Sequence, residues 1–292
     1  MALEMKKLVL IPIFLLIFIA SCGQQNTEFQ PSSKITDVYS NDLKAEMYMY
    51  PGPNFIKPES SITLKFVLTS FYNKALHGRI SVEDTPDNSQ FSGIQEPAEE
   101  DFSLPASEKG KNSIKEIIIP GATEFMYANN LDVTGFTATI TYSIEKELVS
   151  DKICIKYSPR DVINNCNIGG STSFSNALIS NIRYEYADTD TDNIVDKMDL
   201  SFDMNEKCEI TTSNDDLIQD SQVYLKDANI FFECAIDSKN SNQNHKAIKC
   251  TNTDSLNPSN PYYQDFIVAK FKYDCQLLLK SGFISLNKED KK

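Results

Sequence analysis

Apolar side chains in this sequence recur at every second position, a period that dictates extended strands with one buried face. Ile62, Leu64, Phe66 and Leu68 alternate with Thr63, Lys65, Val67 and Thr69. Phe136, Ala138, Ile140 and Tyr142 alternate with threonines, while Ile182, Tyr184 and Tyr186 oppose Arg183 and Glu185. Met198, Leu200 and Phe202 oppose Lys197, Asp199, Ser201 and Asp203 in the same way. Pro51-Gly52-Pro53, Pro120-Gly121 and Asn257-Pro258-Ser259-Asn260-Pro261 punctuate these runs as turns. Beyond the first two dozen residues no window carries the 3.6-residue period of a long amphipathic helix. Apolar residues make up 41% of the chain and aromatic ones 10%, enough to build a core, so wholesale disorder is excluded. The expected fold class is all-β.

The alternating runs also repeat. Tyr48-Met49-Tyr50 matches Tyr184-Glu185-Tyr186 at an offset of 136. Leu64, Phe66 and Leu68 match Met198, Leu200 and Phe202 at 134, and Ala138, Ile140 and Tyr142 match Ala269, Phe271 and Tyr273 at 131. Matches in the same order with slowly drifting offsets imply two copies of one fold whose loops differ by a few residues. The expected domains are residues 37–157 and 176–287, with 158–175, containing Gly169-Gly170-Ser171-Thr172-Ser173, as the linker. The first copy runs through Glu46–Tyr50, a proline-bearing turn at Pro51–Pro58 and the alternating Ile62–Asn73. It thereby resembles immunoglobulin-like modules of prokaryotic surface proteins. Tyr273-Asp274-Cys275 in the second copy is similar to the Tyr-x-Cys of a tyrosine corner. The resemblance implies tandem immunoglobulin-like β-sandwiches. With no tryptophan in the chain, it extends to the architecture and not to the antibody-type core.

At the N-terminus, Lys6 and Lys7 precede an apolar run of 13 residues, Leu8 to Ala20. A spanning helix needs about 20, so the run reads as the core of an export signal. Ile19-Ala20-Ser21-Cys22-Gly23 resembles the lipobox of prokaryotic lipoproteins, which implies cleavage before Cys22 and a diacylglycerol on its thiol. An ordinary cleaved signal with a chance cysteine is the alternative. Residues 1–21 would then be the signal peptide and 22–36, polar and without apolar periodicity, a flexible tether. The expected location is extracytoplasmic, lipid-anchored to the cell membrane or envelope. Loss of Glu4, Lys6 and Lys7 with the signal takes the formal net charge from −13 to −14. An acidic surface disfavours nucleic acid and anionic headgroups, leaving the acyl chains as the membrane attachment.

Six further cysteines, Cys154, Cys166, Cys208, Cys234, Cys250 and Cys275, make three disulfides the natural expectation for an exported chain. No C-x-x-C spacing supports zinc or redox chemistry. Cys154 and Cys166 flank the end of the first copy and would close a local loop. Cys208 with Cys275 leaves Cys234 with Cys250; Cys208 with Cys234 and Cys250 with Cys275 is the competing pattern.

Catalytic patterns are absent: His77 and His245 stand alone, and no glycine-rich phosphate loop appears. Tyr48, Tyr50, Tyr184, Tyr186, Tyr262 and Tyr263 would serve either as a sugar- or peptide-binding face or as core and cross-strand partners. One segment has ligand-like spacing. Asp188, Asp190, Asp192, Asp196 and Asp199 occupy loop positions 1, 3, 5, 9 and 12, with the Ile194 carbonyl at position 7. It resembles the Asp-rich calcium loops of EF-hands and dockerins, with Asn193 for the turn glycine and Asp199 for the long bidentate Glu. A solvated acidic hairpin tip is the alternative. The functional expectation is a non-enzymatic surface protein acting in adhesion, envelope structure or binding, with an envelope or surface protein or a glycan as partner. An envelope enzyme, a solute-binding component or a calcium-stabilised adhesin are the alternatives.

If the Asp188–Asp199 loop takes calcium, the melting temperature rises with millimolar Ca²⁺, and about 5–10 mM suffices for an affinity near 10⁻⁴–10⁻³ M. Asp190→Ala should erase the shift, and Mg²⁺ should do far less. A melt indifferent to Ca²⁺ identifies an acidic hairpin tip.

Overall fold

Residues 32–50, 52, 61–84, 91–92, 98–109, 111–121, 126–128, 133–156, 170–173, 178–187, 196–256, 262–281 and 284–285 are described by a computed structural model of the chain. Among them the first half forms β1 (Ser33–Tyr39), β2 (Leu43–Tyr50), β3 (Ser61–Ser70), β4 (Leu76–Asp84), β5 (Phe91–Ser92), β6 (Ala98–Leu104), β7 (Ser113–Ile119), β8 (Met126–Ala128), β9 (Val133–Thr134) and β10 (Phe136–Lys156). The second half forms β11 (Gly170–Thr172), β12 (Ile179–Ala187), β13 (Lys197–Asn205), β14 (Glu209–Ile210), helix α1 (Asn214–Gln219), β15 (Gln222–Leu225), β16 (Ile230–Ile236), β17 (His245–Asn252), β18 (Tyr262–Lys280) and β19 (Ile284–Ser285). The all-β expectation is met. On β3, Ile62, Leu64, Phe66 and Leu68 are fully buried, and Met198, Leu200 and Phe202 line the same kind of face on β13. The short helix α1 is capped by Ser213, whose hydroxyl accepts from the Asp216 N–H at 3.1 Å, and it buries Leu217.

The strands form two large sheets and a small β9–β19 pair. In the first half β1, β2, β3 and β7 are successive neighbours in one sheet, with β8 and β5 extending from the end of β3. β6, β4 and β10 are neighbours in the other. The second half repeats this pattern: β11, β12, β13 and β17 in order, then β16, β15 and β18. The three sequence matches thus fall on strands with equivalent neighbours, β2 with β12, β3 with β13 and β10 with β18. The halves differ in how their two layers meet. β16 pairs with β17, merging both layers of the second half into the eleven-stranded sheet, whereas β6 and β7 lie close without pairing.

The halves are joined through that sheet. β10 and β18 run antiparallel from Thr137 opposite Lys280 to Lys156 opposite Tyr262, with one irregularity between Val149 and Lys152. Their inward residues, among them Ile140, Tyr142 and Ile144 on β10 and Phe271, Tyr273 and Leu277 on β18, belong to a single core cluster drawn from both halves. Residues 1–31, including Cys22, lie outside the described residues. The last residues read as tether, Ser33–Thr36, instead begin β1, because Ile35 and Val38 pack against the core. Gly170–Thr172, inside the segment read as linker, forms β11 against β12.

Cys208 is bonded to Cys275, tying the segment after β13 to β18 across 67 residues with the Cα atoms 5.5 Å apart. Cys234 is bonded to Cys250, directly opposite it in the β16–β17 ladder. This is the first of the two patterns weighed from placement. Cys154 is also in a disulfide, while Cys166 lies outside the described residues. Disulfides point to an oxidising, extracytoplasmic environment. No helix among the described residues is long and apolar enough to cross a membrane.

Gly78 marks a close strand approach in the first half. It faces Tyr142 on β10 and Phe102 on β6, and a Cβ there would stand 2.2 Å from the Thr141 carbonyl oxygen and 2.6 Å from the Phe102 ring. Any side chain must push β4 away from β10 or unseat a buried phenylalanine. Gly78→Ala is expected to cost about 1–3 kcal/mol, read by thermal or denaturant unfolding. Adding Phe102→Leu should make the double variant less destabilised than the sum of the singles, because the two changes share one space.

Candidate functional site

Where β10 and β18 join the halves, an ionic cluster sits inside the protein. It begins in the turn Ser40–Asp42 between β1 and β2. The Ser40 hydroxyl accepts from the N–H groups of Asp42 (3.2 Å) and Leu43 (2.9 Å), and the Tyr142 hydroxyl donates to it at 2.6 Å. That turn aims the Asp42 carboxylate at Lys146 of β10, whose Nζ lies 2.7 Å from both carboxylate oxygens. From the second half, Glu206 follows directly on β13. Its Oε1 accepts from the Tyr273 hydroxyl of β18, its Oε2 from Asn41 Nδ2 at 2.9 Å, and Lys146 Nζ stands 3.9 Å away. The side chains of Lys146, Asp42 and Glu206 are only 10%, 7% and 0% exposed.

One ammonium group therefore serves two carboxylates from opposite halves. Burial, the largest effect, raises the Glu206 carboxyl above its ordinary value; the Tyr273 hydrogen bond and Lys146 pull it back, and Asp42 adds to the rise. Burial also pushes the Tyr142 and Tyr273 hydroxyls far up, and the nearby Glu206 carboxylate adds to the rise in both, so both stay neutral donors. Beside the cluster a cleft of about 360 Å³ opens between Asp42, Phe71, Tyr72, Lys74, Glu145 and Lys146. Tyr72 closes one wall, its hydroxyl donating to the Glu145 carbonyl and accepting from the Glu145 N–H at 2.9 Å. It satisfies β10 just past the point where pairing with β4 stops at Tyr142.

No residue of this cluster is in the set of sites expected from the sequence, yet its signal is there. Lys146 falls in phase with Tyr142, Ile144 and Leu148, and Glu206 in phase with Met198, Leu200, Phe202 and Met204. A charge in a buried phase announces a partner.

The expected calcium loop is placed only in part. Asp188, Asp190, Asp192 and Ile194 lie outside the described residues. The Asp196 carbonyl accepts from Asn252 Nδ2 at 2.9 Å and from the Leu256 N–H at 3.0 Å. Asp199 lies on β13, its carboxylate accepting from the Thr251 hydroxyl at 2.6 Å. Among the described residues no group of three or more His, Cys, Asp or Glu is disposed to hold a metal. His245 leans on Asn205 at 2.8 Å and Asp203 at 3.6 Å, and His77 is exposed. The tyrosines are spread over three strands: Tyr48 and Tyr50 are on β2, Tyr184 and Tyr186 on β12 with ring centres 6.3 Å apart, Tyr262 on β18, and the Tyr263 side chain lies outside the described set. No protein-family model, curated protein or solved structure matches the chain.

Removing the lysine alone strands two buried carboxylates, so Lys146→Met should cost about 3–5 kcal/mol in denaturant unfolding. Adding Asp42→Asn and Glu206→Gln should recover a large part. The sign of the pH effect follows from the raised Glu206 carboxyl. Its contribution is fully present below the unfolded-state value of about 4.3 and is lost as pH rises through the higher folded value. Asp37, Glu46, Asp101 and Asp237 are shifted downward and act at lower pH. Stability should therefore fall from about pH 4.3 upward in the wild type and be flatter there in Glu206→Gln.

Proposed function

We propose that the chain is a lipid-anchored extracytoplasmic protein of the prokaryotic cell envelope, with two immunoglobulin-like halves in a non-catalytic role: adhesion, envelope structure or presentation of a binding surface. The observation that carries this reading is a disulfide-bonded, all-β body following an apolar N-terminal run that ends at Ala20-Ser21-Cys22. The continuous β10–β18 ladder supports it further, since a joined pair of halves makes a stiff platform. A tether of Gly23 to Ser32, polar apart from Phe29, would let that platform stand off the membrane. A solute-binding or enzymatic role in the same compartment is the second reading, and the cleft beside Lys146 favours it.

Each buried acyl CH₂ contributes about 0.8 kcal/mol, so two or more chains on Cys22 hold the protein firmly. Wild-type protein in its native host should incorporate labelled fatty acid and fractionate with membranes. Cys22→Ser should lose both the label and normal processing. A wild-type protein that takes up no label sinks the anchor.

A further inference from the structure

Facing away from the core, the middle of the eleven-stranded sheet gathers aromatic rings and lysines from both halves. Tyr224 on β15 and Phe231 on β16 are directly opposed, with ring centres 5.4 Å apart and planes tilted by 34°. Val268, in register beside Tyr224 on β18, is 1% exposed although it points to this side. Two residues along the same face, the Phe266 ring lies under two ammonium groups, Lys152 Nζ at 5.4 Å and Lys226 Nζ at 5.5 Å. Lys270 Nζ stands 5.8 Å from the Tyr224 ring and 3.4 Å from Glu147. Lys152 and Lys226 have no carboxylate ion pair among the described residues.

Lys226 is held in place from inside. Asp265, fully buried, accepts from the N–H groups of Asp227 (2.8 Å), Ala228 (2.9 Å) and Phe266 (2.7 Å). The Lys226 N–H donates to the Phe266 carbonyl at 2.9 Å. Asn229 completes the turn with φ of 54°, a conformation asparagine tolerates. The buried carboxylate thus fixes the turn that presents Lys226 beside Phe266.

We propose that this face binds an acidic polysaccharide, a chain of sugar rings bearing carboxylates. The aromatic rings of Tyr224 and Phe231 take the C–H faces of the sugars, and Lys152 and Lys226, held over the Phe266 ring, take the carboxylates. In a chain of net charge −13, two ammonium groups converging on one aromatic ring without carboxylate partners give an anion a local place to bind. The ring-bearing chain is favoured over an acidic peptide for a second reason. β15, β16 and β18 are each paired on both sides, so no strand edge is open for a peptide to extend. The proposal names a ligand for the binding surface suggested above and rests on the extracytoplasmic reading, though not on the lipid.

The test is calorimetric titration of the full chain in detergent with an oligogalacturonate, a neutral cello-oligosaccharide of the same length, and polyglutamate. Saturable binding of the oligogalacturonate, weakened by salt, is expected. Lys152→Ala/Lys226→Ala and, separately, Phe231→Ala should each weaken it by about ten-fold or more, with the unfolding transition unchanged. The neutral oligosaccharide should bind at least about ten-fold more weakly. Absence of saturable binding, equal binding of the neutral sugar, or tighter binding of polyglutamate overturns the proposal. All three outcomes are independent of whether Cys22 carries lipid.

Discussion

Along β10 and β18 the two halves of this chain share a backbone ladder, and almost everything else in the molecule is arranged around it. The two strands occupy equivalent places in the two halves and run antiparallel side by side, the arrangement that a local two-fold axis produces. Each strand presents its apolar phase to a common core, so neither half closes its interior alone. Antiparallel pairing needs one register, and a slip by one residue would turn every inward side chain outward.

The ionic cluster is a consequence of that register. Lys146 sits in the buried phase of β10, where an unpaired ammonium is strongly unfavourable. It is tolerated because Asp42 arrives from the first half and Glu206, braced by Tyr273, from the second. Buried ion pairs are weak sources of net stability, since desolvation offsets much of the attraction. Their better-attested use is to favour one arrangement over its neighbours. Here a shifted ladder would part Glu206 from Lys146 and Asn41, the two contacts that cross between the halves. The cluster therefore acts as a check on the register that joins the halves.

The same strands supply the outward chemistry. Residues alternate, so the pairing that sends Phe271 and Tyr273 inward sends Phe266 and Lys270 outward, beside Lys152 from β10 and Tyr224 from β15. The surface is composite in sequence and continuous in space. Cys234–Cys250 stiffens the adjacent β16–β17 ladder, and Cys208–Cys275 anchors the far part of β18.

The sequence by itself determined the strands. Side-chain alternation is a local property, legible at Ile62–Leu68 and Met198–Phe202 without knowing what the face packs against. It also carried the repeat, which returns as equivalent strand neighbours, and the even cysteine count. Short strand starts escaped it: β1 at Ser33 is held by pairing to β2 and by Ile35 and Val38 against the core, and β11 at Gly170 by pairing to β12, neighbours that local pattern does not name. Which strands lie side by side across the two halves was decided only by tertiary structure, because β10 and β18 are separated by more than a hundred residues. With that pairing came the meeting of Lys146, Asp42 and Glu206 and the gathering of Phe266, Tyr224 and Phe231. A charge in a buried phase signals that a partner exists; its identity depends on distances in space, which the order of residues along a chain does not encode.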